Sequence, residues 1–282
     1  MHSSARPAVV ALHAAVLLFG FAGLFGRWLA LDPAVIVLGR TLVAATALVA
    51  FTLARRTLAP PNAGLATNGL ILAVHWTAFF AAVQWSSVAT GLLGYATFPL
   101  FVLLLEHAGE RGPWRREEIV VVVLVTIGIV NLVPPFEAGE RAFAGLGAGV
   151  VSGFTFAWLA VRSKRHAATH APEVVALWQN AFAALALAAF VALRGEAIAP
   201  IDARTVALMI VLGVACTAGA HTLFIASMRR VSAHTASGVA ALEPVSGIAL
   251  AALLIAERPT LREIVGAVLI VGAALYATRR AR

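Results

Sequence analysis

Ten runs of roughly 20 apolar residues follow one another along this chain, with only short polar loops between them. Their limits are about 8–30, 34–54, 64–84, 87–106, 118–134, 142–161, 173–193, 204–228, 233–256 and 260–278. A helix of about 20 residues crosses the hydrocarbon core of a bilayer. Lipid offers no partner to a bare backbone N–H or C=O, so each run must close its own hydrogen bonds as a helix. Charged residues make up only 12% of the chain and hydrophobic ones 61%. Mean hydropathy is +0.92. A soluble domain carries about twice that charged fraction. The expected fold class is therefore an all-α integral membrane protein with ten transmembrane helices. The first run is too long for the core of a signal peptide and is read as retained. The lone cysteine, Cys216, sits in an apolar run and excludes an internal disulfide.

The formal net charge is +8 and the sequence pI about 11.3. In a soluble chain that balance would suggest nucleic acid. Here the cations sit in loops between apolar runs, so they act as topology signals and no nucleic-acid partner is expected. With the N-terminus inside, the inner segments hold fourteen Lys and Arg, among them Arg55, Arg56, Arg162, Lys164, Arg165, Arg229 and Arg230. The outer loops hold five: Arg141, Arg194, Arg204, Arg258 and Arg262. Positive charge gathers on the cytoplasmic side, which places both termini there.

A shift of 145 residues matches Ser87 to Ser232, Thr90 to Thr235, Ala96 to Ala241 and Pro99 to Pro244, and then "EIVVVVL" from Glu118 to "EIVGAVL" from Glu263. A weaker echo links "PAVIVLGR" at Pro33 to "PEVVALWQ" at Pro172. Chance likeness between Ala- and Val-rich helices is the competing explanation, and the matched prolines argue against it. The chain thus reads as two five-helix repeats, 1–136 and 137–282. Five is odd, so the second copy enters from the opposite side. Inverted repeats of this kind place a transport site near the midplane between them.

Within that frame, "VAALEPVSGIALAALLIAE" holds an acid and a proline in an otherwise apolar run. Pro99 and Pro244 recur at matched places, so both are read as architectural helix kinks. Glu243 matches Phe98 and so is not demanded by the repeat. An acid at midspan costs roughly 2.5–3.5 kcal/mol on insertion scales and should face protein or a watery cavity. Ala236, Ala240 and Gly247 share its face, where small residues allow close contact or leave room. Two roles stay open: binding an ammonium group or carrying a proton, against tying helices together through Arg40 or His221.

Aromatic residues cluster at midspan elsewhere: His75, Trp76, Phe79 and Phe80, then Tyr95 and Phe98, with Trp158 and the Trp178–Gln179–Asn180 stretch further on. Such walls suit flat or cationic ligands. Trp28, Trp85 and Trp114 lie near span ends and read as belt residues. Arg40, inside the second run, could meet a substrate carboxylate or snorkel outward, with a structural role favoured, and Arg27 is expected to snorkel. His166 and His170 have the spacing of metal ligands but lie in a basic loop, so no metal site is expected. Gly145, Gly149 and Gly153 form overlapping G-x-x-x-G steps, a packing signal. The sequence has no G-x-S-x-G, Walker A, H-E-x-x-H or paired membrane aspartates. It is read as having no catalytic residue and no cofactor, and as neither an enzyme nor an ATP-driven pump.

Ten spans, two repeats and the stretch "LEP…AER…GAVLIVG" from Leu242 to Gly272 resemble the EamA-type drug/metabolite transporter superfamily. The chain looks most like its bacterial amino-acid exporters, of the YddG type or the threonine/homoserine type. The resemblance implies an inner-membrane exporter in which spans 1, 3, 4, 6, 8 and 9 surround a cavity. It favours His75, Trp76, Phe79, Tyr95, Trp158, His221 and Glu243 as substrate-binding residues over Trp178, Gln179 and Arg40. Small multidrug relatives use an acid in the first helix, where this chain has only His13 and Arg27 as ionisable groups, so their proton exchange does not transfer directly. The function expected is export of amino acids, aromatic or small neutral, and related metabolites, with protons as a candidate coupling ion. A multidrug exporter of organic cations and a membrane enzyme or receptor-like protein are the alternatives.

Overall fold

In a computed structural model of the chain, residues 5–110, 116–133, 139–195, 200–231, 236, 239–240 and 242–280 are described. Among them every regular element is helical. The helices are α1 (Ala5–Trp28), α2 (Pro33–Arg55), α3 (Ala63–Trp85), α4 (Val88–Tyr95), α5 (Phe98–Glu110), α6 (Arg116–Leu132), α7 (Glu140–Ala167), α8 (Pro172–Arg194), α9 (Ala203–Gly213), α10 (Ala220–Ser227), α11 (Glu243–Leu254) and α12 (Leu261–Arg280). Seven segments are long and apolar enough to cross a membrane, and two shorter apolar helices, Glu118–Leu132 and Glu243–Leu254, accompany them. The sequence expectations at Trp114, Ser232, Thr235 and Ala241 lie outside the described residues.

Short polar side chains set the helix starts. Asp32 caps α2 through the Ala34 N–H at 2.8 Å, and Pro33 takes the first helical position, where its missing N–H costs nothing. Asn62 caps α3 through Leu65 N–H at 2.9 Å, and Ser87 caps α4 through Thr90 N–H at 2.8 Å. Asp202 caps α9 through Thr205 N–H at 2.7 Å, and the hydrogen bonds from Thr205 hold its carboxyl below the usual carboxylate range. At the other ends, Arg56 and Gly195 adopt left-handed conformations that stop α2 and α8.

The fourth span differs from the sequence expectation of a kinked rod. It is two helices, α4 and α5, parted at Ala96–Thr97, with Pro99 in the first turn of α5. Proline forces this because it has no N–H to bond the preceding turn. Thr97 turns its hydroxyl back onto the Gly94 carbonyl at 2.7 Å, and Leu100 N–H bonds the Thr97 carbonyl at 3.0 Å. Pro244 likewise stands in the first turn of α11. The eighth span holds a further surprise: six π-helical residues, Val214–Gly219, between α9 and α10.

Packing is organised by helix pairs. α2 lies on α8, and α6 on α12; α3 packs on α7, and α1 on α10; α4 packs on α7, and α1 on α11. Two of these crossings bring backbones together. A Cβ on Gly94 would stand 3.0 Å from the Cα of Gly149, and one on Gly20 would stand 3.0 Å from the Glu243 carbonyl oxygen. The G-x-x-x-G steps of α7 are thus a contact surface, with Gly149 on Gly94 and Gly153 on the Tyr95 carbonyl.

Candidate functional site

A small cavity opens between these helices. It is lined from α1, α3, α4, α7, α10 and α11, the spans named by the resemblance, and also from α2. Each lining side chain is carried there by helical periodicity. Leu72, His75, Trp76 and Phe79 recur at three- and four-residue steps along one face of α3. Phe156, Leu159, Ala160 and Ser163 do the same on α7, as do His221, Phe224 and Ile225 on α10.

Of the seven residues expected to bind substrate, His75, Trp76, Phe79, Tyr95, His221 and Glu243 line this cavity. Trp158 does not. It points outward from α7, 42% exposed, beside Phe154 at 6.3 Å between ring centroids. It stands two residues after the lining Phe156 and one before the lining Leu159, and those offsets turn it to the outer face of the helix. Trp178 also lies elsewhere, donating to the Ala59 carbonyl at 2.7 Å. Gln179 is buried behind the lining and donates to Ser163 Oγ at 2.9 Å.

The rings form a connected wall. Tyr95 stacks on Phe98 at 5.3 Å and meets Phe156 edge-on at 5.2 Å. Phe224 touches both Phe156, at 5.7 Å, and Phe19, at 5.8 Å. His75 stands between Tyr95 and Phe156, at 5.6 and 5.3 Å, with Nδ1 within 2.9 Å of Ser152 Oγ and 3.0 Å of the Ser152 carbonyl. His221 meets the Trp76 ring edge-on at 5.6 Å, and its Nδ1 lies 3.4 Å from Asn180 Nδ2.

Two groups of opposite charge face this wall. Glu243 is 4% exposed at the first residue of α11. Tyr95 shares the lining with it, and its Oε2 meets no hydrogen-bond partner among the described residues. Arg40, expected to be structural, is on the lining and only 1% exposed. Its Nε donates to Thr217 Oγ1 at 2.8 Å, its Nη2 to the Cys216 carbonyl at 3.4 Å, and its Cζ sits 3.9 Å from the Trp76 centroid. Both acceptors come from the π-helical turn, whose wider spacing opens the regular hydrogen-bond ladder. The sequence offers Arg40 as a candidate contact to a substrate carboxylate but not these partners, because neither Thr217 nor a π turn announces itself in an apolar run. Arg40 and Glu243 line the same cavity but form no direct ion pair.

A second polar cluster joins the start of α4 to the loop before α12. Glu257 Oε1 accepts the Val88 N–H at 2.7 Å, and its Oε2 lies 3.5 Å from Arg27. Arg27 also donates to the Ser86 carbonyl at 2.6 Å, so it does more than snorkel. Glu263 accepts from Ser87 Oγ at 2.6 Å, Thr90 Oγ1 at 2.8 Å and Thr260 N–H at 2.7 Å. No group of three or more metal-ligating side chains occurs among the described residues.

Three comparisons bear on what this arrangement is for. Residues 143–279 match the EamA-like transporter family. An uncharacterized transporter of Archaeoglobus fulgidus is 27% identical over 202 residues, covering 71% of this chain and 71% of that protein. A crystal structure of another protein superposes with a TM-score of 0.71 over 98% of this chain and 99% of its own, at 22% identity, which establishes a shared fold. The family pattern lies in the second half of the chain, and together with the transporter relative it supports a multi-pass membrane transporter rather than an enzyme.

Proposed function

We propose that the protein exports amino acids and related small metabolites across a bacterial inner membrane by alternating access, with both termini cytoplasmic. The observation that carries this reading is the aromatic cavity with Glu243 buried in its lining and one carboxylate oxygen unmatched. Buried polar groups without partners are rare and costly, and a ligand arriving in the cavity supplies the missing partner. Phe79, Tyr95, Phe156 and Phe224 hold the apolar side chain, while Glu243, with His221 close to Trp76, meets the polar end.

The helix pairs support ten spans in two inverted repeats, 1–136 and 137–282. α2 on α8 and α6 on α12 map onto themselves when spans five apart are exchanged, while α3 on α7 becomes α1 on α10 and α4 on α7 becomes α1 on α11. Two halves so arranged can rock about a shared midplane cavity.

The deciding experiment is uptake of labelled threonine, methionine and phenylalanine into proteoliposomes, with and without a pH gradient. Saturable uptake above empty liposomes is expected, and a response to the gradient would implicate protons. No uptake by folded protein would overturn the reading. An organic-cation exporter is the second reading, favoured by the carboxylate beside aromatic rings; uptake of a quaternary ammonium dye without amino-acid uptake would select it.

A further inference from the structure

We infer that the cavity is built for a zwitterion, with Arg40 receiving the carboxylate and Glu243 the ammonium group of one substrate molecule. This rests on the transport reading above and assigns its two polar contacts. A guanidinium carries five N–H donors. Arg40 gives two to the protein, one at 2.8 Å and one at a long 3.4 Å, and finds no third acceptor among the described residues. The Trp76 ring at 3.9 Å and the Thr217 hydroxyl hold the fork in place without neutralising it. Thr217 Oγ1 is itself anchored, donating to the Leu212 carbonyl at 2.6 Å. A purely structural arginine would satisfy its donors on the π turn or pair with the nearest acid. Here the nearest acid on the same cavity is Glu243, and it stays apart with Oε2 unmatched.

Aromatic rings line the same cavity as both groups. Trp76 lies under Arg40, and His75 is 6.3 Å from Trp76 and 5.6 Å from Tyr95. A planar donor fork matches the geometry of a carboxylate. A cation alone would face Arg40 in a closed apolar space, and an anion alone would face Glu243. Each charge in the lining therefore rejects the substrates that the other would accept, and only a molecule bearing both signs satisfies the site.

The test is competition in proteoliposomes against whichever labelled amino acid of the uptake panel the wild-type protein carries best. For phenylalanine the competitors are its amine lacking the carboxylate, phenethylamine, and its acid lacking the ammonium group, phenylpropionate. Both should compete more weakly than phenylalanine by about tenfold or more, the loss expected when a charge-assisted hydrogen bond is removed. Arg40→Met should narrow that gap for the amine only, and Glu243→Gln for the acid only. Equal competition by either analogue against the wild-type protein overturns the assignment, and needs no variant that might fail to fold. Folded variants that weaken all three compounds alike and keep both gaps overturn it too. Absence of uptake for every amino acid overturns the transport reading and this assignment with it, whereas uptake with equal competition overturns the assignment alone.

Discussion

The Ser87 hydroxyl donates to Glu263 at 2.6 Å, fastening the start of α4 to the first turn of α12. Four hydrogen bonds from Ser87, Thr90 and Thr260 converge on this one carboxylate. Glu263→Ala would leave those donors unmatched in a half-buried place and is expected to destabilise the fold by about 2–3 kcal/mol. Glu263→Gln, which keeps an acceptor, should cost less. Unfolding in mixed detergent micelles measures both.

Arg27 and Glu257 look like a strong pair but should couple weakly. Their side chains are 33% and 21% exposed and 3.5 Å apart, and such pairs contribute about 0–1 kcal/mol. A double-mutant cycle of Arg27→Gln with Glu257→Gln should return a coupling within that range. Glu257→Ala should lose more than Glu257→Gln, because it also strips the acceptor from the Val88 N–H. Equal losses would show that the cap contributes nothing.

Backbone contact at Gly94 and Gly149 leaves no room for a side chain. Gly94→Val would push a methyl-bearing carbon into the Gly149 backbone, which cannot rotate away as a side chain would. A loss of about 1–3 kcal/mol is expected, the usual range for overpacking. Gly147→Val, whose Cβ position meets nothing within 4 Å, is the matched control and should be near neutral apart from helix propensity.

Trp76 and Trp158 separate lining from exterior. Trp76→Ala should abolish saturable uptake or raise its KM at least about tenfold, since it removes both the ring under Arg40 and the contact to His221. Trp158→Ala, on the outer face, should leave uptake kinetics unchanged. Reversed results would place the site elsewhere.

Much of this molecule was legible from apolar run length, because lipid permits so few backbone solutions. The all-helical membrane architecture, a disturbance of the fourth run at Pro99 and the shared face of His75, Trp76 and Phe79 on α3 follow from hydrophobicity, proline chemistry and helical periodicity. Trp158 and Arg40 did not follow. A tryptophan near aromatic neighbours reads the same whether it points in or out, and only the rotation of α7 decides. The partners of Arg40 cannot be read from sequence, because Thr217 and the Cys216 carbonyl are 177 and 176 residues away. Glu243 stood out because a lone acid in an apolar run has no cheap explanation.

The π-helical turn at Val214–Gly219 also sets a phase. Each residue of an α-helix advances the side chain by about 100°, so one extra residue in a turn rotates everything beyond it by that much. Before the turn, Val206, Ile210 and Val211 face outward; after it, His221, Phe224 and Ile225 face the cavity. Deleting one residue within the turn would restore a regular ladder and swing those three side chains off the lining together. The specificity of α10 is thus written partly as a count of residues, and a sequence change that touches no lining side chain can erase it.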